Sequence, residues 1–380
     1  MNAALADIGT RIARLDTFVL RAPCAPVRTS FGVMNERPAI LIRVEDLDGA
    51  QGWGEVWCNF PACGASHRAA LLRTLVAPAL LIEPAQVPAD YSRALTQRFA
   101  VLALQSGEHG PFAQVIAGVD QALWDLAARR AGEPLWRFLG GSRQKVPVYA
   151  SGIGPDGAID TALEQQAAGH RAFKLKVGFN PQADLQRVAR LRKELGSQAH
   201  LMIDANQAWA PEDAANRCQE YVAHALDWIE EPMRVDQPWS AWQALARAVP
   251  MPLAGGENLT GNVSFDEAIQ SGSLGVLQPD LAKWGGITGC MAVARRALAA
   301  GLRYCPHYLG AGVGLAMSAH VLAAVGGDGL LEMDINPNPL RDLFGGGMTA
   351  VREGIVVLSN APGFGTPPEL ALMNEFAVSK

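Results

Sequence analysis

Apolar and polar positions follow two different rhythms along this chain. Up to about residue 140, residues 10–20, 38–46 and 51–58 alternate apolar with polar, which predicts strands, and Asp48-Gly49 supplies a turn signal before GWGEVW. Residues 67–82, 88–103 and 113–131 then carry apolar residues at helical spacing, the last ending at Gly132 as a C-cap. Strands followed by helices predict an α+β unit.

Beyond Arg143 the rhythm becomes a strict alternation. Short apolar runs at 146–152, 172–178, 201–207, 227–232, 252–258, 275–281, 303–310 and 330–336 are separated by helical stretches such as LQRVARLRKEL and CMAVARRALAAG. Alternating βα units predict a parallel sheet, and eight of them predict closure into a barrel. The expected division is a capping unit over residues 1–140, a barrel over 141–337, and a segment over 338–380. That last segment is too long for one closing helix. Its EGIVVLSNAPGFGTPPE predicts a strand and a turn that return towards the cap.

Composition changes this picture little. The chain has 380 residues, enough for a barrel of about 250 residues and a second domain. A net charge of −5 gives no reason to expect nucleic acid or an anionic membrane as partner. No apolar run reaches the ~20 residues needed to cross a bilayer. Asp7, Arg11, Arg14 and Asp16 interrupt any secretory h-region, so a cytoplasmic location is expected. The six cysteines include no CxxC pair and are expected to be free thiols. Self-association into a homo-oligomer is the default expectation.

The ends of the expected barrel strands carry the chemistry: Lys174 and Lys176, Asp204, Glu230, Glu257, Asp280, His307 and Glu332, at spacings near one βα repeat. In a barrel such residues converge on one mouth. Asp204, Glu230 and Glu257, on the third, fourth and fifth strands, would repel one another unless a cation held them, and an all-oxygen set with few carboxylates favours Mg²⁺ over Ca²⁺. Lys174 and Lys176 lie two apart, hence on one face, where each should depress the other's pKa and favour a neutral base. His307 and Asp280 fall one repeat apart, which suits a carboxylate that orients an imidazole. Glu332, at the same mouth, suits an electrophilic partner. His67, His109, His170, His200, His224 and His320 fall in helices, turns or loops and are assigned structural places.

The ordered set KLK, DAN, WIEEP, GGEN, QPD and PHYLG, with GWGE near the start and PGFG near the end, resembles the mandelate racemase subgroup of the enolase superfamily over essentially the whole chain. The resemblance implies an α/β fold: a modified (β/α)₇β barrel with an α+β cap built from both ends of the chain. It implies Mg²⁺ on Asp204, Glu230 and Glu257, Lys176 as one acid/base, and the His307–Asp280 pair as the other on the opposite face of the substrate. Lys174 would depress the Lys176 pKa and hold a small-molecule carboxylate. A protonated Glu332 would donate to that carboxylate as an enediolate forms. Asn206 and Lys283 match polar positions lining or supporting the site.

Such a site removes the proton alpha to a carboxylate. Dehydration of a sugar acid (aldonate or aldarate) is the outcome expected first, with racemisation or epimerisation of a 2-hydroxy acid as the alternative. A cycloisomerase fits less well, because it would place lysine where Asp280 stands. A zinc hydrolase is excluded by the absence of HxH in VPVYASG. A non-catalytic barrel would be expected to have lost a catalytic group, and none is missing. Specificity is expected from cap loops near 22–33 and 53–64, with Arg28, Phe31, Trp57, Asn59 and Phe60 in reach of ligand. Arg28 would pair with the distal carboxylate of a diacid.

Overall fold

The computed structural model describes residues 11–29, 32–83 and 87–378, with the side chains of residues 28 and 29 outside the description. Three antiparallel strands open the chain: β1 (Ile12–Thr29), β2 (Gly32–Asp46) and β3 (Gln51–Val56). The β2–β3 turn is closed by Asp46 Oδ1, which accepts from the amides of Asp48 at 3.0 Å and Ala50 at 2.9 Å. Helix His109–Arg130 packs on this sheet, and helix Pro88–Ser106 packs on that helix. The helix expected over 67–82 is instead interrupted by a π-turn, Leu72–Val76, between Gly64–Leu71 and Ala77–Ile82. Gly52 and Gly54 let β3 press onto helix His109–Arg130. A Cβ at either would lie 2.1 or 2.2 Å from the carbonyl oxygens of Ala122 and Gly118.

All eight barrel strands are present: β4 (Lys145–Ile153), β5 (Ala172–Lys176), β6 (His200–Asp204), β7 (Ile229–Glu230), β8 (Leu253–Gly255), β9 (Val276–Leu277), β10 (Arg303–Tyr304) and β11 (Leu331–Asp334). They pair in parallel, in the order β10-β9-β8-β7-β6-β5-β4-β11. The two ladder ends abut, since a Cβ on Gly329 would sit 1.9 Å from the Tyr304 carbonyl oxygen. An interior cluster of Tyr149, Ala172, Met202, Trp228, Ala254, Val276, Cys305 and Leu330 draws one residue from each strand or its flank, so the inside of the barrel is filled by side chains. The fold is therefore an α/β modified barrel with an antiparallel capping sheet. Several strands are shorter than their apolar runs, because the runs continue into the loops at the barrel mouth.

β12 (Ile355–Val357) pairs antiparallel with β4. The chain then crosses to β1, where Arg21 donates to the Phe376 carbonyl at 2.8 Å and Val378 to that of Val19 at 3.0 Å. Among the described residues no helix is long and apolar enough to cross a membrane.

Candidate active site

Strand register assembles one side of the mouth. Lys176 on β5 stands opposite Asp204 on β6, and Asp204 opposite Glu230 on β7. Period-two alternation puts Lys174 on the same face as Lys176. Lys174 is fully buried; its Nζ lies 2.7 Å from both Glu230 carboxylate oxygens, 2.8 Å from Glu332 Oε1, and 5.2 Å above the Tyr149 ring. Lys176 Nζ donates to Asp204 Oδ2 at 2.6 Å and to Asn206 Oδ1 at 2.9 Å.

The expected depression of the Lys176 pKa is not what these contacts produce. Burial pulls the ammonium down and Lys174 adds to that, but Asp204, Glu230 and Glu332 together outweigh both, so Lys176 is raised above its ordinary value. Lys174 is raised further. Burial opposes its charge, yet Glu230 and Glu332 hold it.

The other side is built around His307. Its Nδ1 lies 2.7 Å from Asp280 Oδ2, and its Nε2 lies 2.7 Å from Glu257 Oε2 and 3.8 Å from Glu332 Oε2. Burial works against the imidazolium, but Glu257 and Glu332 raise the His307 pKa well above the usual range, so both ring nitrogens donate. Asp280 is fixed from behind by the Ala282 amide at 2.8 Å and the Lys283 amide at 3.2 Å.

Glu332 corrects a second expectation. It accepts from Ser151 Oγ at 2.5 Å and from the Tyr308 amide at 3.2 Å. Burial would raise its pKa, but Lys174, His307 and Lys176 hold it down at about 2, so it is a carboxylate and not the protonated donor expected.

Asp204, Glu230 and Glu257 do reach one mouth, each against a cation: Lys176, Lys174 and His307 respectively. Among the described residues no three His, Cys, Asp or Glu side chains are arranged to hold a metal ion. The donor chemistry nevertheless fits a hard cation. The three candidates offer only oxygen, and a fourth carboxylate, Glu231, crowds them. Glu231 adopts φ 39° and accepts from Asn258 Nδ2 at 2.9 Å. Burial, Glu257 and Asp204 push it up to about 8. Burial likewise pushes Glu230 up to about 7, against Lys174 and with Asp204 and Glu332. Glu257 goes the other way: burial would raise it, but His307 and Lys283 hold its carboxyl well below the usual range.

Residues 14–140 match the mandelate racemase/muconate lactonizing enzyme N-terminal domain, and residues 158–371 match the enolase C-terminal domain-like family. The chain belongs to the mandelate racemase/muconate lactonizing enzyme family of the enolase superfamily. A solved mandelate racemase/muconate lactonizing enzyme from Bordetella bronchiseptica RB50 is 51% identical, with a TM-score of 0.90, and the match covers 96% of this chain and 99% of that one. D-galactarolactone cycloisomerase of Agrobacterium fabrum is 30% identical over 96% of this chain and 95% of its own length. L-talarate dehydratase from Polaromonas sp. JS666, solved with Mg and L-glucarate, is 28% identical with a TM-score of 0.84, covering 97% of this chain and 98% of that one. Relatives within this family thus include sugar-acid dehydratases, cycloisomerases and a racemase.

The members of the expected site that line the cap side are also placed. Asn206, at φ 43°, accepts from Lys176 and donates Nδ2 to Asp204 Oδ2 at 3.2 Å. Lys283 Nζ donates to Asn258 Oδ1 at 2.8 Å and lies 5.1 Å from the centre of the Trp57 ring. Trp57 packs in turn against Phe60, with ring centroids 6.4 Å apart. The Arg28 side chain and Phe31 lie outside the described residues. Sequence reasoning missed Glu231, Asn258, Gln278 (Nε2 to Glu230 Oε2, 2.6 Å) and Ser151. The first three sit inside WIEEP, GGEN and QPD, so the motifs held them, but nothing in the sequence shows their partners.

Proposed function

We propose that this enzyme removes the proton alpha to the carboxylate of a sugar acid and expels the β-hydroxyl, giving a 2-keto acid, with Mg²⁺ as cofactor. One observation carries the reading. His307, held by Asp280 at 2.7 Å, faces the same carboxylate cluster as Lys176, so two prospective acid/base groups serve one mouth. Asp204, Glu230 and Glu257 would hold Mg²⁺, which supplies Lewis-acid stabilisation of charge developing on the substrate carboxylate.

The chain's own groups do the proton work. Lys176 accepts a proton at Nζ only when neutral, so Asp204 must first be neutralised by something other than that ammonium. Lys174 stays charged and offers its ammonium to substrate carboxylate oxygen. His307 Nε2 gives its proton to the departing β-oxygen, which leaves as water, and the enol product becomes the 2-keto acid. Asp280 keeps the imidazole oriented and balances its charge. The binding partner is a small carboxylate, and the setting we infer is a cytoplasmic homo-oligomer.

A second reading is cycloisomerisation, favoured by two relatives of that name at 30% and 31% identity, each over 96% of this chain. It shares the first proton transfer. Where the β-oxygen belongs to a ring, its expulsion opens the ring and no water is lost. Proton NMR in D₂O with Mg²⁺ tests these readings against aldonates, aldarates, their lactones and aryl 2-hydroxy acids. Formation of a 2-keto acid from an open-chain acid is expected. Ring opening of a lactone alone would select cycloisomerisation, and α-proton exchange alone would select racemisation. A Mg²⁺-binding enzyme that exchanges no α-proton across the panel would overturn the proposal.

A further inference from the structure

His307 has little secondary structure of its own to hold it. β10 ends at Tyr304, and the helix that follows begins at Gly312, leaving the imidazole on an irregular loop. That helix has Ala311 at its N-cap, with no side-chain cap from its own sequence. Its first amides need partners from elsewhere.

They find one in Glu55, at the end of β3 in the cap and only 2% exposed. Oε1 accepts from the Ala311 amide at 2.6 Å, and Oε2 from the Gly314 amide at 2.9 Å. Burial pushes Glu55 up to about 7, and these donors together with the favourable end of the helix dipole work against that rise. The loop is cleared for it. A Cβ at Gly310 would stand 2.6 Å from Glu55 Oε1, and one at Gly314 would stand 2.2 Å from the Tyr308 hydroxyl. Gln121 locks the Glu55 backbone, accepting from its amide at 3.2 Å and donating to its carbonyl at 2.9 Å.

The same stretch of cap grips both halves of the His307–Asp280 pair. Asn59 Nδ2 donates to the Leu309 carbonyl at 2.6 Å, two residues past His307. On the Asp280 side, Gln121 Nε2 reaches the Leu281 carbonyl at 3.3 Å, and the Trp57 amide reaches that of Ala282 at 3.4 Å. We propose that Glu55 is a positioning residue for His307: it caps the helix after the His307 loop from a different domain, so that the imidazole is in place only while the cap is docked. The inference rests on the reading of His307 as an acid/base group.

Hydrogen–deuterium exchange and steady-state kinetics on the full chain with Mg²⁺, comparing wild type, E55Q and E55A, test it. In E55A, amides in the 307–318 segment should exchange about tenfold faster, the effect of losing a helix cap, while the 172–206 segment keeps wild-type rates. Against a substrate from the D₂O panel, kcat should fall by roughly 10- to 100-fold with KM changed less than about threefold, as expected of a misplaced catalytic group. E55Q, which keeps one acceptor oxygen, should lie between the two. Unchanged protection of 307–318 in E55A would overturn the proposal, as would a loosened segment with wild-type kcat. Equal loosening of 172–206 would also overturn it, since that marks general destabilisation. The exchange arm needs no substrate, so a failed panel would count against the proposed chemistry and leave the clamp still measurable.

Discussion

Lys176 and His307 serve the same mouth, yet they are held there by different means. Lys176 stands on a ladder strand in register with Asp204, on a face fixed by the alternation of β5. His307 stands beyond a two-residue strand, on a loop fastened by Asn59, Asn338 and Glu55, the first and last of which come from the cap. The lysine side is a product of local backbone geometry. The histidine side depends on segments 250 and 256 residues away in sequence being folded and docked. A barrel alone could therefore present Lys176, but it takes the cap to present His307.

The largest effects should come from the two groups themselves. K176M and H307N should each lower turnover by roughly 10²- to 10⁴-fold, the range for a lost general acid or base. They should differ in what survives. Where Lys176 is the base, H307N should still exchange the α-proton in D₂O while failing to form product, and K176M should do neither. Proton NMR with both variants reads this directly, and identical residual exchange in the two would break the proposed division of labour.

The same contrast explains what could be read from sequence. KLK on an apolar strand, DAN and WIEEP announce faces and spacing, and the register then brings Lys176, Asp204 and Glu230 together as those spacings imply. Charge states were not legible. The Lys176 shift depends on Asp204 Oδ2 lying 2.6 Å away, and that of Glu332 on three cations converging from β5 and the His307 loop. Spacing says which residues share a mouth, but not which of them touch. Glu55 was visible only as part of GWGE, because its partners lie in a glycine-rich loop with no periodic signal. The π-turn at Leu72–Val76 was hidden for a related reason, since apolar spacing there continues through it.

A further cap-to-barrel contact sharpens the comparison in stability. Arg37 on β2 is buried, with Nη2 2.8 Å from Asp334 Oδ2 at the end of β11. Removing Arg37 leaves the buried Asp334 carboxylate with only Arg341 Nη1, at 3.9 Å, as a cation among the described residues, so R37M should cost about 3 kcal/mol in urea unfolding. R37M/D334N, which removes both charges, should recover much of that loss. If R37M proved as stable as wild type, the cap would be held by its other contacts alone.

Metal loading bears on the lysine side. Mg²⁺ at about 100 times its Kd should stabilise the enzyme by about 2.7 kcal/mol, a shift reversed by EDTA. D204N should remove most of it, since it converts a carboxylate of the expected ligand set to an amide. E55A, on the histidine side, should keep it. A Mg²⁺ shift of equal size in D204N would take Asp204 out of the metal site.

The smallest effect concerns the far part of the helix that follows His307. His320, fully buried in Gly312–Val325, accepts from the Trp136 amide at Nδ1 (2.8 Å) and lies 3.2 Å from the Phe364 carbonyl through Nε2. Burial holds its pKa down at about 3, against the Phe364 carbonyl, so the folded protein keeps it neutral. Below the ordinary histidine value near 6.5 the unfolded chain binds a proton that the folded chain refuses, and stability falls with pH. The loss should approach 1.4 kcal/mol for each pH unit below about 6.5, or roughly 2 kcal/mol by pH 5. H320Q retains an acceptor and a donor but cannot titrate, so urea unfolding from pH 7.5 to 5 should show the stability advantage of wild type over H320Q shrinking through that window. A constant difference across it would mean that folded His320 takes up its proton near the ordinary histidine value, as the unfolded chain does. The helix behind His307 would then be anchored at this end, below that value, by a charge and not by a neutral ring.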